Sequence, residues 1–430
     1  MKKINIVTLG CSKNTVDSEH LGGQLSASGL TVLYDKYNYD AETVVINTCG
    51  FINDAKEESV NTILDFAGAK TAGKIKHLYV MGCLAERYLE DLKKDIPEAD
   101  EFFGVNNLQD VVEVLNADFR KELIGERQLS SPSHYAYLKI SEGCNRQCSF
   151  CAIPLIRGRH RSFPIDDLVN SAKKLSRQGV KELILIAQDL SYYGMDLYQK
   201  PVLADLLEKL AAIENFKRIR LHYAYPALFP ENVLEVMRKH KNICNYIDIP
   251  LQHISDKMLK IMRRGYDKKK TYQILKNIRT QLPDAAIRTT LLVGHPGETE
   301  ETFQVLAAFV KEQKFERLGV FTYSHEEDTH AGDNMPDEIP EEEKNRRAEN
   351  IMELQNKIAA EHNRKKKGKI FEVLIDKEEE DFYIGRTEYD SPDVDNEVLI
   401  EKNKTLSIGE FYPVKITHTG DYELYGKITN

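Results

Sequence analysis

Ile140-Ser141-Glu142-Gly143-Cys144-Asn145-Arg146-Gln147-Cys148-Ser149-Phe150-Cys151 places three thiols within eight residues, spaced Cys-x3-Cys-x2-Cys. An alternating apolar run (Tyr135, Tyr137, Leu138, Ile140) leads into it, so the stretch reads as a strand ending in a thiol-bearing loop. Three thiolates can hold three corners of an iron–sulfur cube and leave the fourth iron without a protein ligand. Four-cysteine ligation suits electron transfer, whereas an open iron suits chemistry on a bound molecule. A structural zinc site wants a fourth ligand and usually paired Cys-x2-Cys units, and no second such unit occurs.

This spacing resembles the radical S-adenosylmethionine (SAM) enzymes. The resemblance implies a 4Fe–4S cluster on Cys144, Cys148 and Cys151 whose open iron chelates SAM. One electron then cleaves the sulfonium to a 5′-deoxyadenosyl radical. Phe150 matches the aromatic position of that loop, and packing of the loop is its other reading. Around the loop, strands are expected at 135–140, 182–187, 218–225, 246–251, 286–293 and 317–323, with helical patterns between them. Six β/α units predict a partial TIM-type barrel whose site lies at the carboxyl ends of its strands. There the resemblance offers SAM contacts at Gln188 and Asp189, at Gly294, Gly297 and Glu298, and at Arg288 within the fifth strand. Gln252 and His253 follow the fourth. Each also reads as an ordinary turn or cap; Glu298-Thr299 can simply start a helix. No catalytic acid or base is assigned. Arg157, Arg159, His160 and Arg161 form a basic cluster with two open readings, a solvated face or a neutraliser of cluster charge.

Upstream, residues 1–118 alternate short apolar runs with amphipathic stretches, the pattern of an α/β domain with a parallel sheet. Each expected strand (4–9, 43–47, 77–81) runs into a cysteine: Cys11, Cys49 and Cys83. Sites on open parallel sheets gather outside the carboxyl ends of strands, so the three are expected to converge. Residues 119–134 are polar and read as a linker, and 135–338 form the barrel. Cys244 stands alone and reads as a structural cysteine.

Downstream, 339–369 reads as one charged linking helix. Short strand candidates over 370–430 suggest a small five-stranded antiparallel barrel resembling the TRAM module. That segment carries six Lys/Arg against fifteen Asp/Glu. Such a surface repels phosphate backbones and attracts a cationic polypeptide.

Three amino-terminal cysteines, a radical-SAM triad and a TRAM-like terminus together resemble the methylthiotransferases across essentially the whole chain. The resemblance implies two 4Fe–4S clusters, an auxiliary one on Cys11, Cys49 and Cys83 serving sulfur delivery, and an external electron donor. One SAM gives a methyl group and a second gives the radical. Leu9-Gly10-Cys11-Ser12-Lys13-Asn14 and Ala187-Gln188-Asp189-Leu190 look like the branch that modifies an aspartate β-carbon of ribosomal protein S12. The transfer-RNA branch, acting on adenosine, is the alternative, with RNA binding not expected as the main mode. Phe163 departs from the family's usual arginine. A zinc- and RNA-binding protein is the reading from another class. At 430 residues, 41% hydrophobic and 30% charged, the chain has ordinary globular composition and length for several domains. No signal-peptide core or transmembrane-length run is read, so a cytoplasmic protein without a disulfide framework is expected.

Overall fold

The computed structural model describes residues 3–121, 126–130 and 132–429. Part of the expected linker, 122–125 and 131, lies outside the described residues. The chain divides into two compact units: Met1–Ser131 with Tyr137–Asn145 and Ala152–Lys174, and Pro132–Ala136 with Arg146–Cys151 and Leu175–Asn430. This grouping cuts across the linear division, because the segments around Lys139, Glu142 and Arg157 are bound by buried ion pairs to Asp17 of the first unit.

The first unit is built on a five-stranded parallel sheet. Its order is Thr31–Tyr34, Lys3–Thr8, Thr43–Thr48, His77–Gly82, Glu101–Phe103. The strands are apolar on both faces because helices cover both. Val7, Val44, Ile46 and Val80 pack with Ile63 and Phe66 of helix Asn53–Thr71. The alternate residues Ile6, Val45 and Met81 pack with Leu21 and Leu25 of helix Ser12–Ala27. This is the two-residue period of a pleated strand. Helix Ser12–Ala27 and the short strands at 31–34 and 101–103 were not anticipated in the sequence.

The second unit contains the barrel. Strands Glu182–Ile186 and Arg218–Leu221 pair in parallel, as do Tyr246–Asp248, Ala286–Val293 and Arg317–Thr322. A parallel bridge from Ile219 to Ile243 continues between the two sets. Where strand Tyr135–Lys139 begins, the amides of Lys181 and Glu182 donate to the His134 carbonyl. Helix Glu341–Arg364 then leads to a closed five-stranded barrel over 370–428, filled by Val373, Ile375, Val398, Val414, Ile416 and Leu424. The expectation of an all-antiparallel barrel needs one correction, since Glu397–Glu401 and Glu423–Ile428 pair in parallel.

This terminal barrel is fastened to the amino-terminal ends of the larger barrel's strands. Glu182, the first residue of its strand, pairs with Arg386 at 3.0 Å. Arg218, also first, donates to the Arg386 and Glu372 carbonyls. Tyr246, first again, donates to Asp395 at 2.7 Å, and Arg317 pairs with Asp390. Beyond the carboxyl ends of strands Glu182–Ile186 and Arg218–Leu221, Asp189 and Tyr225 meet Arg146 and Cys148 of the cysteine loop.

Candidate metal centres

The first unit gathers three thiols where its strands end. Cys11 caps helix Ser12–Ala27, Cys49 follows strand Thr43–Thr48, and Cys83 opens helix Cys83–Arg87 directly after strand His77–Gly82. Their closeness shows in the backbone. A Cβ on Gly10, where φ is +87°, would lie 2.6 Å from Cys49 Cβ and 2.9 Å from its Sγ. A Cβ on Gly50 would meet the backbone of Cys83 and Leu84 within 2.9 Å. Asn14 staples the strand ends together, donating to the carbonyls of Leu9 (2.8 Å) and Thr48 (3.0 Å). Ser59 Oγ accepts from the Cys49 amide and donates to its carbonyl.

Burial pushes the Cys83 thiol up to about 12, and the neighbouring Cys11 and Cys49 sulfurs add to that; Arg157 opposes them. Cys49 is raised for the same leading reason, with Cys11 beside it. Burial and a neighbouring sulfur disfavour the thiolate forms of Cys49 and Cys83, a condition that a bound cation relieves because metal displaces the protons. Cys11 is exposed and gives access. This donor set fits a three-thiolate iron–sulfur cluster. Among the described residues no three His, Cys, Asp or Glu side chains are arranged around a single ion. A cube, with its irons at separate corners, spreads its thiolates more widely than one tetrahedral zinc does.

Arg157 resolves one of the two readings of its basic cluster. It is buried, and Nη2 donates to Asn14 Oδ1 at 2.6 Å and to Cys83 Sγ at 3.3 Å. Its other nitrogen meets Asp17 at 2.7 Å and Glu142 at 3.3 Å, while Lys139 bridges the same two carboxylates. Arg159 and Arg161 are exposed and His160 is buried. Sequence reasoning missed Asn14, Asp17 and Glu142 as parts of this site. The available signal was polar spacing: Asn14 and Asp17 follow Cys11 at three and six residues, on one side of a helix.

The second triad sits on the quoted loop. In the first unit, the Cys144 amide donates to the Gly158 carbonyl, and Gly143, at φ +77°, passes where a Cβ would strike the Arg159 carbonyl. In the second unit, the Cys151 amide donates to the Cys148 carbonyl. Ser149 pins this half of the loop: its amide donates to Met262, its carbonyl accepts from Ala331, and its hydroxyl meets His295 Nε2 at 2.9 Å. Phe150 packs among Met258, Met262 and Leu292, edge-on to His295, which is the packing reading given to it above. Arg264 Nη1 donates to Cys148 Sγ at 3.1 Å, and Tyr225 Oη lies 3.7 Å from the same sulfur. Nothing in the Met262-Arg263-Arg264-Gly265 segment announced that role.

The residues offered as SAM contacts are placed as follows. Gln188 is half-buried after strand Glu182–Ile186. Asp189 is buried, takes a hydrogen bond from Arg146 Nε at 2.9 Å and caps the turn Leu190–Tyr192 through the Ser191 amide. Gly294 (φ +75°) and Gly297 (φ +89°) form the turn after strand Ala286–Val293. Glu298 braces that turn, accepting from the Gly294 amide (2.6 Å), His253 Nε2 (3.1 Å) and Arg347 Nη1 (2.7 Å). His253 Nδ1 accepts from the Ile254 and Ser255 amides, so the ring proton is on Nε2. Burial pushes the Glu298 carboxyl up, but His253 and Arg347 bring it below its ordinary value. Thr299, not Glu298, caps the following helix. Arg288 lies third in the eight-residue strand Ala286–Val293, engaged with Asp248 (3.3 Å) and Asp395 (3.6 Å). Cys244 is buried with Tyr246 and Ala286, as a structural cysteine should be.

Residues 138–310 match the radical SAM superfamily, residues 3–104 an uncharacterized protein family, UPF0004, and residues 368–429 the TRAM domain. A protein of Christiangramia forsetii named ribosomal protein uS12 methylthiotransferase RimO is 57% identical over 429 residues, covering 100% of this chain and 94% of that one. Relatives of the same name are 55% identical in Flavobacterium johnsoniae (99% and 98% covered) and 51% identical in Parabacteroides distasonis (100% and 99%). Among solved structures, the radical SAM methyltransferase TsrM of Kitasatospora setae, with cobalamin and a 4Fe–4S cluster bound, superposes with a TM-score of 0.56. It is 14% identical, with 77% of this chain and 74% of that one covered, and this likeness concerns fold alone.

Proposed function

We infer function from one premise: the chain belongs to the ribosomal protein uS12 methylthiotransferase family. It is a radical SAM methylthiotransferase with two 4Fe–4S clusters, acting on ribosomal protein uS12. The reaction replaces a hydrogen on the β-carbon of an aspartate with a methylthio group, one SAM serving as methyl donor and another as radical source. The observation that carries this reading is the gathering of Cys11, Cys49 and Cys83 in a chain that also bears the Cys144, Cys148, Cys151 loop.

Cys144, Cys148 and Cys151 would hold the cluster that binds SAM, and Cys11, Cys49 and Cys83 the auxiliary one. Bound there, iron–sulfur clusters supply an electron and a labile sulfur position. The chain's own residues do the arranging. Ser149 and Phe150 fix the loop, Asn14 and Ser59 fix the strand ends, and Glu298 with His253 and Arg347 holds the glycine turn. Phe150, Gln188, Asp189, Gly294, Gly297 and Glu298 remain our candidates for the SAM-facing wall, Asp189 and Glu298 acting through the turns they brace. Such chemistry asks for positioning rather than proton transfer, which agrees with the lack of an assigned general base. A basic protein substrate, an external one-electron donor and a cytoplasmic setting, where ribosomes are assembled, complete the proposal.

The test is the mass of ribosomal protein uS12 incubated with the reconstituted enzyme, SAM, sulfide and a reductant. Gain of one methylthio group on an aspartate-bearing peptide is expected, and its loss in a Cys49→Ala variant. An unmodified peptide beside a modified transfer RNA overturns the assignment.

A further inference from the structure

Each triad has a buried arginine against one sulfur, and the two arginines are not electrostatically alike. Arg157, on Cys83, is compensated: Asp17 and Glu142 face it, with Lys139 between them. Arg264, on Cys148, is not. It is 4% exposed, and its remaining hydrogen bonds go to neutral oxygens, the Tyr266 hydroxyl (3.2 Å) and the Pro250 carbonyl (2.7 Å). The Tyr225 and Tyr266 rings cover it at 4.5 and 5.5 Å. Among the described residues no carboxylate pairs with it. A buried cation without a counter-ion is costly, and its one anionic neighbour in the working enzyme would be a ligating thiolate.

We propose that Arg264 is the built-in counter-charge of the SAM-binding cluster, a positioning residue that raises the reduction potential of that cluster through its N–H···S contact with Cys148. The inference rests on the two-cluster reading above. One-electron reduction adds negative charge to the cluster; a fixed cation in a low-dielectric site stabilises the reduced form, and hydrogen bonds to cluster sulfur act in the same direction. Arg157 acts likewise on the auxiliary cluster but more weakly, because two carboxylates cancel much of its field.

The experiment uses the full chain, reconstituted anaerobically. A Cys11→Ala, Cys49→Ala, Cys83→Ala background isolates the SAM-binding cluster, and the matching triple substitution of the other triad isolates the auxiliary one. Each cluster is titrated potentiometrically with electron paramagnetic resonance. Arg264→Met is expected to lower the reduced-to-oxidised ratio at fixed poise by about tenfold, equivalent to ~59 mV for one electron. Arg264→Lys should retain most of the potential. Arg157→Gln, combined with Asp17→Asn to avoid a bare carboxylate, should shift the auxiliary cluster by less. Should Arg264→Met fail to assemble, Arg264→Gln, which is neutral yet still donates, reads the charge alone. A cluster with full iron content and unchanged potential in either neutral variant overturns the inference, as does an equal shift for the two arginines. Absence of iron from both triads of the unsubstituted chain would instead sink the two-cluster reading.

Discussion

At Gly10 the chain turns with φ +87°, and any side chain there would press into Cys49. Gly10→Ala combines two costs, a left-handed backbone that alanine adopts at ~1 kcal/mol or more and a contact that one thiol must yield to. The expected outcome is selective: about four irons per chain instead of about eight, with SAM-dependent 5′-deoxyadenosine formation retained and methylthio insertion lost. Iron analysis beside both assays checks it, and full iron content would show that the turn relaxes. At this scale the sequence was informative wherever chemistry is carried by residue type. The placement of Cys11, Cys49 and Cys83 after their strands could be read, and so could the glycine turn at 294–297. Arg264 could not, because nothing in the pair Arg263-Arg264 after a helix says that one guanidinium points at a sulfur more than a hundred residues earlier. At Arg288 a strand position gives the face of the side chain, and the structure adds its partners Asp248 and Asp395.

Among elements, the strand Glu182–Ile186 shows how the barrel is held at its foot. Glu182 is fully buried; burial alone pushes its carboxyl up, yet Arg386, Arg220 and Arg218 bring it down to about 2. Its folded-state value is therefore below that of an unfolded glutamate, near 4.3. Stability from this group is complete above pH ~4.3 and is lost as pH falls towards 2. Denaturation midpoints measured from pH 7 down to pH 3 should fall, and part of that fall should be missing in Glu182→Gln. At pH 7 the same variant leaves three buried guanidiniums short of a carboxylate, an expected loss of about 3–5 kcal/mol. Unchanged pH dependence in the variant would mean that other groups carry the acid transition. Most strands and helices here were legible from their periods, since buried parallel strands read as apolar runs and helices as amphipathic ones. Pairing partners were less so. Alternation tells which face of Glu397–Glu401 is buried but not that Glu423–Ile428 runs parallel beside it.

Across the terminal barrel, charge counted along the chain overstates charge presented to a partner. Asp376, Asp390 and Asp395 are consumed internally, paired with Arg386, Arg317 and Arg288. The longest outward acidic run is the hairpin at Glu378, Glu379, Glu380 and Asp381, all exposed, with Lys377 and Lys402 screening only part of it. Exposed ion pairs of that kind contribute little, so the hairpin keeps most of its field. A cationic protein substrate would feel it over about a Debye length, ~8 Å at physiological ionic strength. Glu379→Gln, Glu380→Gln and Asp381→Asn together should raise KM for the ribosomal protein several-fold at low salt. They should leave kcat and SAM cleavage unchanged, because the hairpin belongs to a barrel fastened at the amino-terminal strand ends, away from the cysteine loop. Raising the salt should bring the unsubstituted enzyme towards the variant. Equal KM values at low salt would place substrate approach over a different surface and leave the acidic hairpin as a means of solubility alone.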